Sequence, residues 1–362
     1  MAKDAPPDKY AGLASVNQLA KQRDLSELEI CDPASEPSPT KLQEKAEIAE
    51  ASALEVGGVS QVSGASASYG KYSVFMAASN GFTANYDRSS NSVSCVAIAG
   101  EGLNMERDYD ADTRVYQSDL RPSDEIGRTA GLRAVERLNP RRPATGSYPV
   151  IYDERISSGL VGHFLSAING AAITRGSSWL KDSLGKQVLP STCKLVENPH
   201  RLRAGASRLF DSEGLPTKKR EILSKGVLNG WTLDLASARK LGMKPTANAS
   251  RNVSSNPSPT NWNIELSSPE DYCDNLLSEM GNGLLVTSLI GSTINPNTGD
   301  YSRGVSGFWV ENGQICYPVS EITIAGNLRD MLKKIILGND AQRHLSYVVP
   351  SILVEEMTLA GS

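Results

Sequence analysis

The chain has 362 residues, of which 39% are hydrophobic, 22% charged and 6% aromatic. That length suits two or three domains with a sizeable core, and that composition excludes a disordered polymer and a membrane protein, leaving a soluble globular one. Lys and Arg total 37 against 41 Asp and Glu, a formal charge of −4, which provides no field for gripping a polyanion and sets nucleic acid aside as the main partner.

The amino terminus has charge and proline where a leader needs an apolar run, and no later stretch reaches the ~18 apolar residues of a membrane span. Export and membrane insertion are therefore disfavoured. Cys31, Cys95, Cys193, Cys273 and Cys316 are odd in number, far apart and without a CxxC pair. This argues against a disulfide framework and a zinc ribbon and fits a reducing cytoplasm.

The polar first segment ends in repeated proline at Pro33, Pro37 and Pro39, which denies the backbone donors that helix or sheet requires and reads as a linker. Thr40-Lys41-Leu42-Gln43 then has the form of a capping box, and Leu42, Ala46, Ala49, Ala53 and Val56 recur on one helical face. Residues 72–76 alternate, Asn80-Gly81 is a tight-turn dipeptide, and 93–99 reads as a strand, so an antiparallel sheet with small residues is expected. A second helix is predicted over 122–138, with Pro122 in its first turn and Pro140 past its end.

Beyond Arg141-Arg142-Pro143 short apolar runs alternate with turn signals, at 148–153, 226–230, 283–287 and 304–310, the last followed by Glu311-Asn312-Gly313. Helical pieces are predicted at 156–168, 268–279 and 325–337. The class is α+β: a linker over 1–39, a smaller α/β central domain over 40–142 and a sheet-rich carboxyl-terminal domain over 143–362.

Motifs for chemistry are sparse. His163, His200 and His344 are the three histidines, none four residues from another, so the helical zinc signature is absent, although distant histidines could converge in space. Ser306 lacks a GxSxG elbow, and Gly185-Lys186 lacks the loop of a phosphate-binding site. Asp108 with Asp110, Asp211 with Glu213, and Glu355 with Glu356 read as solvated turns and faces, and Lys218-Lys219-Arg220 as an exposed strand end. Segments 175–185, 210–217, 237–251 and 298–304 gather polar residues on turns beside strands. Binding sites use that arrangement, and so do structural loops.

The same segments carry a resemblance. GDYSRGVSGFWVENGQICYPVSEITIAGNLRDML over 299–332, preceded in order by SSWLKDSLGKQV, FDSEGLPT, SARKLGMKPTANASR and PSPTN, is very similar to the carboxyl-terminal signature of the PmbA/TldD family. The resemblance runs from about Asp8 to the end. It implies a PmbA/TldD-like fold and one of two subunit types. The TldD type carries HExxxH in the stretch that corresponds to 158–163, plus a ligand cysteine near the carboxyl terminus, and is a metalloprotease. Here that stretch reads Ser158-Gly159-Leu160-Val161-Gly162-His163, and no cysteine follows Cys316. Hydroxyl and hydrogen replace a zinc ligand and the carboxylate that takes the water's proton.

The resemblance therefore implies the PmbA type, also called TldE: a subunit without catalytic residues or cofactor of its own, paired with a TldD-like metalloprotease subunit that holds zinc and acts on unfolded peptides. Trp179, Asp300, Tyr301, Arg303 and Trp309 are the candidates for substrate channel or interface. Family members usually carry a further amino-terminal α/β domain, which makes residues 1–39 a remnant of a missing domain. The rival readings are a stand-alone, homodimeric peptide-binding or assembly protein without protease activity, and an independent metalloenzyme using all three histidines.

Overall fold

The structure, a computed structural model, describes residues 8–269 and 271–361; the charged, proline-bearing residues 1–7 lie outside it. Helix α1 (Pro39–Leu54) is capped not by Thr40 but by Ser38, whose hydroxyl accepts from the Lys41 amide at 3.3 Å, with Pro39 at the position where a missing N–H costs nothing. Strands β1 (Val59–Ala77), β2 (Thr83–Ala99) and β3 (Glu106–Arg114) form an antiparallel sheet in that order, turning at Asn80-Gly81. Helix α2 (Ser123–Glu136) packs with α1 on one face, around Ala49, Ala53, Val93, Cys95, Ala97, Ile126, Ala130 and Ala134.

Small residues let these layers approach closely. They also leave room for charge on β3. Asp108, Asp110 and Asp112 stand opposite Ala97, Cys95 and Val93 and are buried. Asp110 takes Arg121 and Arg133 at 2.8 Å each, and Asp108 takes Arg137 at 3.2 Å and Arg155 at 3.1 Å. The expectation that Asp108 and Asp110 sit on a solvated face is thus corrected: period-two spacing turns every aspartate inward, and arginines compensate them.

In the carboxyl-terminal part, β4 (Gly146–Tyr152) leads into α3 (Glu154–Ala167) and α4 (Gly170–Arg175). Strands β5 (Lys194–Glu197), β6 (Arg220–Ser224) and β7 (Val227–Leu228) precede α5 (Leu235–Leu241). After the short ribbon of β8 (Ala249–Ser250) and β9 (Ser258–Pro259) come β10 (Ile264–Ser267), β11 (Tyr272–Cys273) and α6 (Leu276–Met280). The chain ends with β12 (Gly283–Ile294), β13 (Asp300–Glu311), β14 (Gln314–Asn327), α7 (Leu328–Lys333), β15 (Ile335–Gly338), β16 (Tyr347–Val348) and β17 (Ile352–Ala360).

Strands β12, β13 and β14 form an antiparallel meander, β14 pairs β17, β17 pairs β4, and β4 pairs β12 in parallel. The ring closes into a five-stranded barrel filled by Val150, Tyr152, Leu284, Val305, Ile324 and Met357 among others. Asn312 (φ 52°) and Gly313 (φ 74°) make the two-residue turn between β13 and β14, with both central residues left-handed. A second sheet, ordered β16-β10-β5-β6-β7, packs against the same core.

Two predicted helices shrink. Over 268–279, where position 270 lies outside the described residues, helix forms only at α6 behind its cap Asn275. Over 325–337, Ala325, Gly326 and Asn327 remain in β14 opposite Ser302, Tyr301 and Asp300, so pairing outweighs local helix preference until Asn327 caps α7.

The segment read as a linker is packed rather than free. Leu25, Leu28 and Ile30 are buried with Phe82 and Phe210, and Asp32 accepts the Gln117 amide at 2.8 Å. Arg239 donates to the carbonyls of Tyr10, Gly12 and Leu13. Proline breaks its regular structure, while its spaced apolar side chains still find a groove to fill.

Candidate functional site

Asp153 caps α3, and Leu160, Val161, Phe164 and Leu165 bury one helix face in the core. Ser158, Gly159 and His163 fall on the half-buried flank. A β-carbon added at Gly159 or Gly162 meets no heavy atom within 4 Å, so the helix beside His163 is bare backbone facing open space.

Opposite, β13 brings Tyr301 and Arg303, two residues apart and therefore on one face of the strand. The His163 ring meets Tyr301 edge-on, with centroids 6.0 Å apart at 66°. Tyr152, fully buried at the end of β4, donates toward the Met357 sulfur at 3.4 Å. Burial and the neighbouring Tyr301 push its phenol well above the usual range, so it stays protonated. Burial, and next the positive charge of Arg303, push the His163 imidazole below its ordinary value, which leaves it neutral at pH 7.

A catalytic zinc requires three imidazole, thiolate or carboxylate ligands and an open position. Beside His163 the chain supplies an alcohol, a hydrogen and a guanidinium. Among the described residues no three His, Cys, Asp or Glu side chains gather into a possible metal site. His200 instead meets Thr217 Oγ1 at 3.1 Å, and His344 meets Asp112 at 3.3 Å. The donor set does not fit a divalent cation, and the three histidines do not converge.

The other candidates divide into two groups. The Trp179 amide donates to the Pro296 carbonyl at 2.8 Å, and its indole closes on Gly299, where an added β-carbon would stand 3.4 Å from Cγ. Asp300 is exposed and accepts from Thr298 Oγ1 at 2.5 Å and Asn327 Nδ2 at 3.0 Å, bonds that hold its carboxyl below the usual range. Trp179, Asp300, Tyr301 and Arg303 thus share one end of the barrel. Trp309 lies eight residues past Tyr301, about 26 Å along the strand. It packs edge-on against Tyr148, with centroids 5.0 Å apart, and donates to Glu311 at 3.1 Å.

Asp211 and Glu213 are also not solvated. Asp211 accepts the amides of Glu213, Leu215 and Ala249, while Glu213 accepts the Leu235 amide at 2.8 Å. Burial pushes Asp211 up to about 6 and Glu213 up to about 8. This loop is fastened from within. Glu355 and Glu356 are exposed, as their spacing suggests. Tyr152 escaped the sequence reading: it ends an apolar strand run, and nothing local marks it as facing Tyr301 and Arg303.

Comparison with known proteins places this geometry in a family. Residues 32–138 match the PmbA/TldA metallopeptidase central domain, and 145–361 its carboxyl-terminal domain. The chain is 41% identical over 365 residues to the metalloprotease PmbA of Escherichia coli O157:H7, covering 100% of this chain and 78% of that protein. A PmbA homologue of Haemophilus influenzae is 38% identical at the same coverages of 100% and 78%. A crystal structure from Bacteroides thetaiotaomicron, named as a proposed modulator of DNA gyrase, superposes with a TM-score of 0.86 at 29% identity, over 99% of this chain and 80% of that one. The fold is shared with TldE of Thermococcus kodakarensis, with a TM-score of 0.83 at 20% identity over 100% and 82% of the two chains. No helix among the described residues is long and apolar enough to cross a membrane.

Proposed function

The chain belongs to the PmbA/TldD metallopeptidase family, and from that premise we propose that it is the PmbA/TldE-like, non-metal-binding subunit of a cytoplasmic two-component protease for unfolded peptides. The supporting observation is the donor set at His163. Hydroxyl, hydrogen and guanidinium surround it where a metallopeptidase needs anionic or imidazole ligands. The zinc then belongs to a TldD-like partner. This chain walls the substrate path, with the barrel end at Trp179, Asp300, Tyr301 and Arg303 turned toward the peptide.

The test is co-expression with a TldD-like subunit bearing HExxxH. Co-purification, cleavage of an unfolded peptide that needs both chains, and zinc in proportion to the partner alone are expected. Equal cleavage without this chain, together with failure to co-purify, overturns the role.

A stand-alone, homodimeric peptide-binding protein is the second reading. It is favoured by β1, which among the described residues has no neighbour along one edge and exposes Tyr72 and Phe75, at 65% and 79%. Light scattering of the purified chain, alone and mixed with the partner, separates the two.

A further inference from the structure

We propose that Arg303, with His163, Tyr152 and Tyr301 around it, forms a carboxylate-binding site that takes the carboxylate of a peptide. The idea deepens the peptide-handling role above and depends on that role for the identity of the ligand. The carboxylate chemistry comes from the residues themselves.

The argument begins with an imbalance of charge. Arg137, Arg155 and Arg220 each face a carboxylate. Arg303 is half-buried, yet among the described residues it has no ion-pair or hydrogen-bond partner, and its Nε is closed off from solvent with no acceptor. Buried donors are paired in the great majority of cases, so the buried, unpaired Nε–H of Arg303 points to an acceptor of defined chemistry. Its planar fork matches a carboxylate bidentately, a geometry that a point charge on lysine does not reproduce.

The neighbours reinforce that preference. His163 is held neutral and Tyr301 protonated, so each has a proton to donate, while Tyr152, whose proton goes to the Met357 sulfur, brings no negative charge. Beside His163 the chain holds a positive charge of its own, which repels an amine and attracts an anion. The open space beyond Gly159 and Gly162 leaves an approach along α3. Peptides offer two sources of the group, the chain terminus and an Asp or Glu side chain.

The intact chain is titrated calorimetrically with acetyl-tetra-alanine carrying a free carboxyl terminus, with its carboxyl-terminal amide, and with that amide containing one internal Glu. The free acid is expected to bind roughly tenfold or more tightly than the amide. Arg303→Gln should erase that preference and Arg303→Lys restore part of it, with each variant's fold checked by thermal unfolding. Tight binding of the Glu peptide supports the site with a side chain as source. Equal affinity for acid and amide, an unchanged preference in Arg303→Gln, or no binding of any peptide at millimolar concentration overturns the proposal.

A second reading is independent of any variant. The Arg303 Nε–H resonance of the wild-type protein should shift with the acid and not the amide, and a still resonance overturns the idea. Failure to co-purify with a metal-bearing subunit would remove the protease role while leaving these titrations intact.

Discussion

Gly127 of α2 lies directly against the backbone carbonyl of Ala49 in α1: a β-carbon at position 127 would stand 2.0 Å from that oxygen. The two helices touch through main chain, so the central layer has no slack there. Gly127→Ala is expected to force the helices apart and lower unfolding stability by about 1–3 kcal/mol, read by chemical denaturation. Gly159→Ala is the control. Its new methyl group meets nothing, and removing a helical glycine should leave stability unchanged or raise it by about 0.5–1 kcal/mol.

Asp108 ties the two parts of the chain together, since Arg137 follows α2 while Arg155 belongs to α3. Asp108→Asn leaves two guanidinium groups facing a neutral amide in a buried place. Arg155 keeps Asp153 at 3.0 Å and Arg137 keeps Glu106 at 3.9 Å, so the arginines lose one partner without being stranded, and a loss of about 1–3 kcal/mol is expected. A melt showing no change would mean that water already compensates these arginines.

Glu213 sets a pH dependence of stability. Its carboxyl rises from an ordinary 4.5 to about 8, first by burial and then through Asp211 and Asp234, despite the Leu235 amide. The folded chain therefore holds a proton that the unfolded chain releases, and stability falls as pH rises from about 4.5 to about 8. Glu213→Gln should flatten that part of the curve. The check is the melting temperature of both proteins at half-unit steps across the window, and parallel curves would reject the assignment.

The imidazole of His163 should titrate below its ordinary value by NMR. Arg303→Gln should bring it partway back, since the positive neighbour is removed while burial remains. An ordinary value in the wild-type protein would place His163 in water and dissolve the cluster.

Much of the fold was legible because its signals are local. The hairpin at Asn80-Gly81, the turn at Asn312-Gly313, the strand at 93–99 and the helix that carries His163 follow from backbone preference and periodicity over a few residues. That Ser158 offers only a hydroxyl and Gly159 only hydrogen beside His163 was legible too, since donor chemistry belongs to residue type. Tertiary structure decided what depends on pairing between distant segments. It kept Ala325, Gly326 and Asn327 in a strand, turned Asp108 and Asp110 toward arginines, closed five strands into a barrel and fastened residues 10–32 to the body. It also left Arg303, among the described residues, without an ion-pair or hydrogen-bond partner beside His163. Charge compensation is a property of neighbours in space, so one sequence names the charges while only the folded chain shows which of them remains unanswered.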